Sequence, residues 1–560
     1  MIQQKQHNAL YLGILLGGLI LLFLMGQLVH FRIDLTEEKR YSIHPATEEI
    51  LSGIESPIHV EILLVGDDLP GGMRRLQRSI EETVRTFNAY SPEKITFSYF
   101  DPLSIPQEEQ EEFVVDLANY GINPTNLRIR QSGGQRTELV FPGILVYDEE
   151  YETGALVLKG EMGMSEDQIL NQSIENLEFE LANSIRKLTQ SGDNALAMII
   201  GHDEMSEDDG YGLVEALDGD FEVFKVPLEQ ARTVEDLINF KIIFIQGPKE
   251  SYTEREIYLL DQYVMNGGNL VVLTDGVALD ISQADGEGTL AMPFDHGLDN
   301  LLFKYGIRIN KDLIQDLNFG YFPVMGGNFG DQEQLVPLPW PFYIQSTRMQ
   351  THPITKGLDM VYLRFASSID TVMAKGIKKT PLLFSSENSR ILPAPARVAF
   401  RDMEQEPDLN TYNQSNLPLA YLLEGEFTSL YKNRFLPDGF DQEDFRESGQ
   451  GKVVVIGDGE IFQSQADPMT GNPLNLGDDP FNQVIFANKL FLRNLSQYLI
   501  NPEGIIASRT RTFQIRPLNR AKIAQQKSYW QLINVLAPVI TLLIIGSGIS
   551  FARKRKFSKK

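Results

Sequence analysis

The sequence predicts an α/β protein tied to a membrane by two helical spans. Three observations predict it. Over residues 195–276, short apolar runs rich in Val, Ile and Phe alternate with helical patterns, the signature of βαβ units in a helix-covered parallel sheet. Residues 58–190 repeat strand and helix patterns at a consistent spacing of their own. Two stretches, 9–29 and 532–551, stay apolar for the roughly 20 residues that cross a hydrocarbon core about 30 Å thick.

In the first span, Ala9–Val29, Gln27 is the only strongly polar residue. Gly26-Gln27-Leu28-Val29-His30 is no A-x-A cleavage site, so the span reads as a retained anchor. Gly13, Gly17 and Gly18 suit close helix–helix approach within it. An extended lead, 31–57, ends in a short helix. The block 58–190 then reads as strand Ile58–Val65, helix Arg74–Tyr90 with Leu76, Ile80, Val84 and Phe87 on one stripe, and strand Ile95–Phe100. Helix Glu108–Tyr120, strands Leu127–Arg130 and Leu139–Tyr147, a hairpin partner at Ala155–Lys159 and helix Ile169–Leu188 complete it. This order, β-α-β-α-β-β-β-α, resembles a thioredoxin-like domain, with Pro142 where that fold often keeps a cis proline. No Cys-x-x-Cys is present, so the resemblance implies a binding or spacing module without redox activity.

Residues 195–500 form the larger predicted domain. Its strands are Leu196–Gly201, Phe221–Leu228, Lys241–Gly247 and Gly268–Asp275, with helices at Tyr211–Leu217 and Thr253–Asn266. Thr253 is placed as N-cap, Glu256 at the capping-box position and Gly267 as the stop. Beyond 276 the chain turns loop-rich through Phe319–Tyr343, then shows strands at Thr380–Phe384, Leu417–Tyr431 and Lys452–Gly457 and an amphipathic helix at Phe481–Leu499. The parallel sheet is similar to that of class I amidotransferase-like (flavodoxin-like) proteins, but that reaction needs a cysteine nucleophile and the chain has none. A polar approach segment, 501–531, leads to the second span, 532–551, where Pro538 is tolerable near the start, and to a basic tail, 552–560.

Two spans put both termini on one side. Six basic residues in Arg553–Lys560 place that side in the cytoplasm, although Arg516, Arg520, Lys522 and Lys527 before the second span and Arg32, Lys39 and Arg40 after the first vote the other way. The expectation is an inner-membrane protein with cytoplasmic termini and a periplasmic body of roughly 500 residues. A formal net charge of −26 argues against nucleic acid, which needs basic patches to neutralise phosphates. Zero cysteines exclude disulfides, a lipoprotein anchor, Cys-ligated metals and thiol catalysis.

No nucleotide site is visible. Gly449-Gln450-Gly451-Lys452 lacks the upstream glycine and the Ser/Thr of a P-loop and reads as the turn before a strand. In parallel sheets, ligands gather at the carboxyl ends of the strands. Those ends carry His202, Asp203 and Glu204, then Asp275, then Asp458 and Glu460. Converging, His202, Glu204, Asp275, Asp458 and Glu460 would form a candidate ligand edge suited to a cation or an acid–base pair. Turn chemistry plus solvated acids explains the same residues. His352-Pro353 reads as a structural turn, and Asn171, Asn413 and Asn494 fit the glycosylation sequon.

Several stretches resemble one family: FRIDLTEEKRYSIHPATEEIL (31–51), GGMRRLQRSIEETVRTFNAYSP (71–92), NQSIENLEFELANSIRKL (171–188), YGIRINKDLIQD (305–316), HPITKGLD (352–359) and LEGEFTSLYKNR (423–434). They are similar to the gliding-motility-associated ABC-transporter auxiliary, or substrate-binding, proteins of Bacteroidota. The resemblance implies a non-catalytic subunit with no cofactor. It implies a separate ATPase subunit and a multi-span permease as partners, and supplies no site residues. A periplasmic ligand-binding or scaffold module of the envelope, using the strand-end edge, is the alternative expectation.

Overall fold

The computed structural model of the chain describes residues 17–18, 42–66, 69–131, 134–159, 164–189, 194–204, 206–284, 287–329, 332–468, 470–481, 484–510 and 520–557. The first predicted span lies outside these residues apart from the helical Gly17 and Gly18, as do the lead up to residue 41 and the segment 511–519. The chain forms two units, a body ending at Thr512 and a C-terminal unit beginning at Phe513.

The body opens with helix α1 (Pro45–Ser52). Strand β1 (Ile58–Ile62), helix α2 (Gly71–Phe87), strand β2 (Ile95–Tyr99) and helix α3 (Gln107–Asn119) follow. Next come β3 (Thr125–Gln131), β4 (Gly134–Val140), β5 (Gly143–Tyr147), β6 (Glu152–Leu156) and helix α4 (Glu166–Thr189). The predicted stripe of α2 is its buried face: Leu76, Ile80, Val84 and Phe87 all lie in the core. The first sheet has the order β2-β1-β5-β6, with β1 parallel to β2 and β5 antiparallel to both neighbours. The strand expected over 139–147 is split. Phe141-Pro142 interrupts it because proline has no N–H for a ladder, so Leu139 and Val140 pair with β3 while Gly143–Tyr147 enters the sheet. The Phe141–Pro142 bond is trans, and the cis bond among the described residues is Ala394–Pro395.

The second sheet is built on β7 (Ala195–Ile200), β8 (Glu222–Pro227), β9 (Ile242–Gln246) and β10 (Asn269–Leu273). It continues through β13 (Arg348–Met349), β14 (Ile377–Phe384), β15 (Pro418–Thr428) and β16 (Ser448–Ile456), reached after the hairpin β11 (Phe319–Phe329) and β12 (Gln332–Ser346). The order is β13-β14-β15-β16-β10-β9-β7-β8. The five strands β8, β7, β9, β10 and β16 run parallel; β15, β14 and β13 extend the sheet antiparallel. Helices α5 (Glu207–Leu217), α6 (Glu254–Met265), α7 (Asp299–Tyr305) and α8 (Asn488–Ile500) complete the body. The start signals of α6 work as expected. Thr253 caps the Glu256 N–H, the Glu256 carboxylate answers at the Thr253 N–H, and Gly267 follows at φ +92°.

Residues 319–343, read as loop from their prolines and glycines, instead form the long hairpin. Pro337 and Pro339 fall at alternate positions opposite Pro323 and Tyr321, so their missing N–H groups share one edge of β12, and Pro341 falls where the register shifts between Phe319 and Gly320. The base of the hairpin packs Phe322, Trp340, Tyr343, Phe365 and Phe400 into an aromatic core. Gly449 and Gly451 also depart from expectation. They sit inside β16 rather than in a turn before it, because α6 ends against the strand: a Cβ at Gly449 would overlap the Met265 carbonyl.

One hydrophobic core runs through both sheets, and α4 lies at their junction. Asp220, buried after α5, takes Arg186 and Lys187 of α4 and Arg493 of α8 as ionic partners. The two ends of the body meet on the same helix. On the incoming side, His44 N–H and Thr47 Oγ1 donate to Glu178 Oε1 at 2.5 and 2.8 Å. On the outgoing side, the 3-10 turn Ile505–Thr510 buries Arg509, which donates to Glu180 Oε1 at 3.2 Å and Asn494 Oδ1 at 2.7 Å and lies 4.0 Å from the Phe179 ring centroid. Lys159 reaches the same Glu180 oxygen at 2.6 Å. Burial favours a neutral Glu180, but the two cations outweigh it and hold the carboxyl below its ordinary range.

In the C-terminal unit, α9 (Arg520–Phe557) contains Pro538 and exposes Tyr529 and Trp530 near its start. Its segment Gln525–Arg555, 31 residues containing an 18-residue window of mean hydropathy 2.2, is long and apolar enough to cross a membrane.

Candidate functional site

The parallel strands order as 2-1-3-4-5 in chain sequence, so the topological switch point falls between the carboxyl ends of β7 and β9. Gly201 at φ +119° and Asp203 at φ +54° turn the chain off β7 and direct His202 inward, where it is 6% exposed. Its ring stacks on Tyr252 with centroids 3.8 Å apart. Nδ1 lies 3.3 Å from Glu204 Oε1, and Nε2 lies 3.3 Å from Glu256 Oε2. Glu204 in turn accepts from His202 N at 2.6 Å and from the Tyr252 hydroxyl at 2.8 Å. Lys249 and Glu250 N–H groups donate to the His202 carbonyl at 2.9 and 3.0 Å. Burial, and then the Glu204 carboxylate, push the Tyr252 phenol well up from its usual value. The switch point is thus filled by the stacked His202 and Tyr252 rings between Glu204 and Glu256, and His202 Nδ1 is buried there without a hydrogen-bond partner.

Asp275, Asp458 and Glu460 form a second group, at the ends of β10 and β16. Asp275 Oδ1 accepts from Gly459 N at 3.2 Å. Asp458 accepts from Arg364 N through Oδ2 and from Glu460 N through Oδ1, both at 2.7 Å. Arg364 Nε lies 3.4 Å from Glu460 Oε2, and its guanidinium also donates to Gln463 Oε1 at 2.5 Å. Burial first, then the neighbouring Asp458 and Glu460, push the Asp275 carboxyl far up. Burial and then Glu460 bring Asp458 to about 7. The turn after β16 presses on the turn after β9: a Cβ at Gly459 would stand 2.7 Å from Gly247 Cα. Beside Arg364, a cavity of about 20 Å³ bounded by Tyr362, Glu460, Gln463 and Asn488 has room for about one water.

The five candidate residues therefore split two ways. His202 and Glu204 join Tyr252 and Glu256; Asp275, Asp458 and Glu460 join Arg364. Among the described residues, no group of three or more His, Asp or Glu side chains is arranged to hold a metal ion. The first group is a buried imidazole between two carboxylates, and the second holds Asp275 and Asp458 with their carboxyls raised beside Glu460 and Arg364. Sequence reasoning missed Tyr252 and Arg364, whose partners stand 48 and 94 residues away, and took Glu256 for a cap alone. Of the remaining motifs, His352 turns the chain and sets its ring edge-on to Tyr498, while Asn494 of the sequon is buried under Arg509.

Residues 193–495 match the family described as an ABC-type uncharacterized transport system, and residues 37–147 match a domain of unknown function. An uncharacterized protein of Borreliella burgdorferi is 21% identical over 569 residues, covering 99% of each chain. The intraflagellar transport protein 52 homolog of Mus musculus is 31% identical over 96 residues, 17% of this chain and 20% of that protein. Among solved structures, the mmIFT52 N-terminal domain aligns at TM-score 0.31 with 16% identity, over 55% of this chain and 97% of that one. Gan42B, a GH42 beta-galactosidase, aligns at TM-score 0.19 with 12% identity, over 70% of this chain and 39% of that one. At those scores neither structure defines the fold.

Proposed function

The chain belongs to the auxiliary family of ABC-type transport systems, and from that premise we propose that it is a non-catalytic, membrane-anchored subunit that works beside a separate ATPase and a separate permease. The family match over 193–495 carries the reading. An apolar helix, Gln525–Arg555, long enough to cross a bilayer supports association with a membrane. A non-catalytic role is supported by Glu204, Asp275 and Asp458, whose carboxylates accept from neighbouring backbone N–H groups and the Tyr252 hydroxyl.

The finer reading is an inner-membrane protein with two spans, cytoplasmic termini and a periplasmic body, serving gliding motility or surface export in Bacteroidota. Its supports are the stretches quoted above and the basic end of α9. We also take residues 58–190 as thioredoxin-like, supported by the strand order β2-β1-β5-β6 with β5 antiparallel, and the parallel strands of 195–500 as flavodoxin-like, supported by their 2-1-3-4-5 order.

The test is a gentle-detergent pull-down through a tag after Lys560, with the recovered proteins identified. ATPase and permease subunits recovered in stoichiometric amounts are the expected outcome. Recovery of the chain alone, or with envelope proteins only, removes the transport assignment and leaves the envelope-scaffold reading.

A further inference from the structure

The C-terminal unit, Phe513–Lys560, inverts the charge of the rest of the chain. It holds ten Lys and Arg residues and no Asp or Glu, so all 76 acidic residues lie ahead of it. The ten fall into two groups. Arg516, Arg520, Lys522 and Lys527 precede the apolar stretch, and Arg553, Lys554, Arg555, Lys556, Lys559 and Lys560 follow it. Between the groups, residues 528–552 carry no charge. Helix α9 reaches from Arg520 to Phe557 and so carries members of both.

Helix geometry sets the two groups at two levels. From Trp530 to Phe551 the axis rises about 32 Å, at about 1.5 Å per residue, which is close to the thickness of a hydrocarbon core. Tyr529, Trp530 and Phe551 are all exposed, at the levels where aromatic rings settle between core and headgroups. None of the most apolar 18-residue window between them is buried within the protein. Lys527, almost a turn before Trp530, and Arg553, Lys554 and Arg555, just past Phe551, then fall at the headgroups on either side, within reach of phosphate. Successive helical residues project about 100° apart, so the three consecutive cations surround the helix and mark no single face. The unit has no acidic side chain to pair with any of them.

We infer that α9 gathers anionic phospholipid at both faces of the membrane, its two basic groups binding the headgroup phosphates of lipids such as phosphatidylglycerol. A ring of cations suits lipids, which approach a helix from every side, whereas an acidic protein segment calls for cations on one face. The group before the span is the less expected of the two, because positive charge ordinarily gathers on one side of a membrane helix. Each such charge attracts anionic lipid within a screening length of about 10 Å at about 0.1 M salt. The inference rests on the membrane-anchored reading and goes beyond it by naming the lipid class that the anchor selects.

The test uses the full chain in nanodiscs of equal parts phosphatidylcholine and phosphatidylglycerol, with brominated acyl chains on one lipid or the other, and reads the fluorescence of Trp530. Trp340, buried in the body, is the other tryptophan, and the Trp530→Phe variant measures its share. Brominated phosphatidylglycerol should quench Trp530 about twofold more than brominated phosphatidylcholine, and about 0.5 M salt should bring the two toward equality. The variant Arg520→Gln, Lys522→Gln, Lys527→Gln should lose the preference. Glutamine keeps the helix propensity, and continued quenching by phosphatidylcholine will show that the variant inserts. A chain with Trp530→Phe and Phe551→Trp reads the second group in the same way, and Arg553→Gln, Lys554→Gln and Arg555→Gln should remove its preference. Equal quenching by the two lipids overturns the inference and leaves the basic groups to acidic segments of neighbouring subunits. A preference that the Gln variants retain overturns it as well. Quenching by neither lipid removes the span itself, and the membrane-anchored reading with it.

Discussion

Burial and then the charges of Asp458 and Glu460 resist ionisation of Asp275, and burial and then Glu460 resist that of Asp458. An aspartate unfolds to a pKa of about 3.9, so each binds more proton in the folded chain over the interval above that value. Stability must then fall as pH rises from about 4 through the folded value of about 7 for Asp458. Asp275→Asn keeps the oxygen that accepts from Gly459 and removes the charge. The variant should melt at least about 2 °C higher than the parent at pH 8, with the gap narrowing as pH falls and nearly closed by about pH 4. Parallel melting-versus-pH curves for the two proteins would refute this account. Residue-scale features were legible in proportion to how local they are. The Thr253–Glu256–Gly267 signals lie within one helix and could be read directly. His202, Glu204, Asp275, Asp458 and Glu460 could be placed at strand ends, but which would meet depended on Tyr252 and Arg364, which no spacing rule brings to them.

Secondary elements show where local reading gives way to packing. Proline and glycine in 319–343 signal loop, yet Pro337 and Pro339, two residues apart, leave the donors on the other edge of β12 free to pair. Gly449 and Gly451 signalled a turn, whereas their role is to admit the end of α6 against β16. Gly449→Ala should accordingly destabilise the body by about 1–3 kcal/mol, measured by urea unfolding of the detergent-solubilised chain. Ala at the exposed Gly71, where an added Cβ meets nothing, is the comparison and should be neutral within about 0.5 kcal/mol. Equal midpoints for the two variants would mean that α6 can shift off the strand at little cost.

Across the whole molecule, the order of strands and helices and the apolar C-terminal helix were legible because period and length are properties of the chain itself. The joining of the two sheets was not, since it rests on α4, whose polar side chains find partners across the body. Arg509 is the clearest of these. Arg509→Met leaves Glu180 with Lys159 alone and strips Asn494 of its donor, and should cost about 2–5 kcal/mol. Thermal and urea unfolding will measure the loss; a variant as stable as the parent would mean that Lys159 suffices. The same helix receives the incoming chain at Glu178 and the outgoing chain at Glu180, two residues apart. Force reaching the body at His44–Thr47 or at Arg509 is therefore passed to one turn of α4, the helix at the junction of the two sheets.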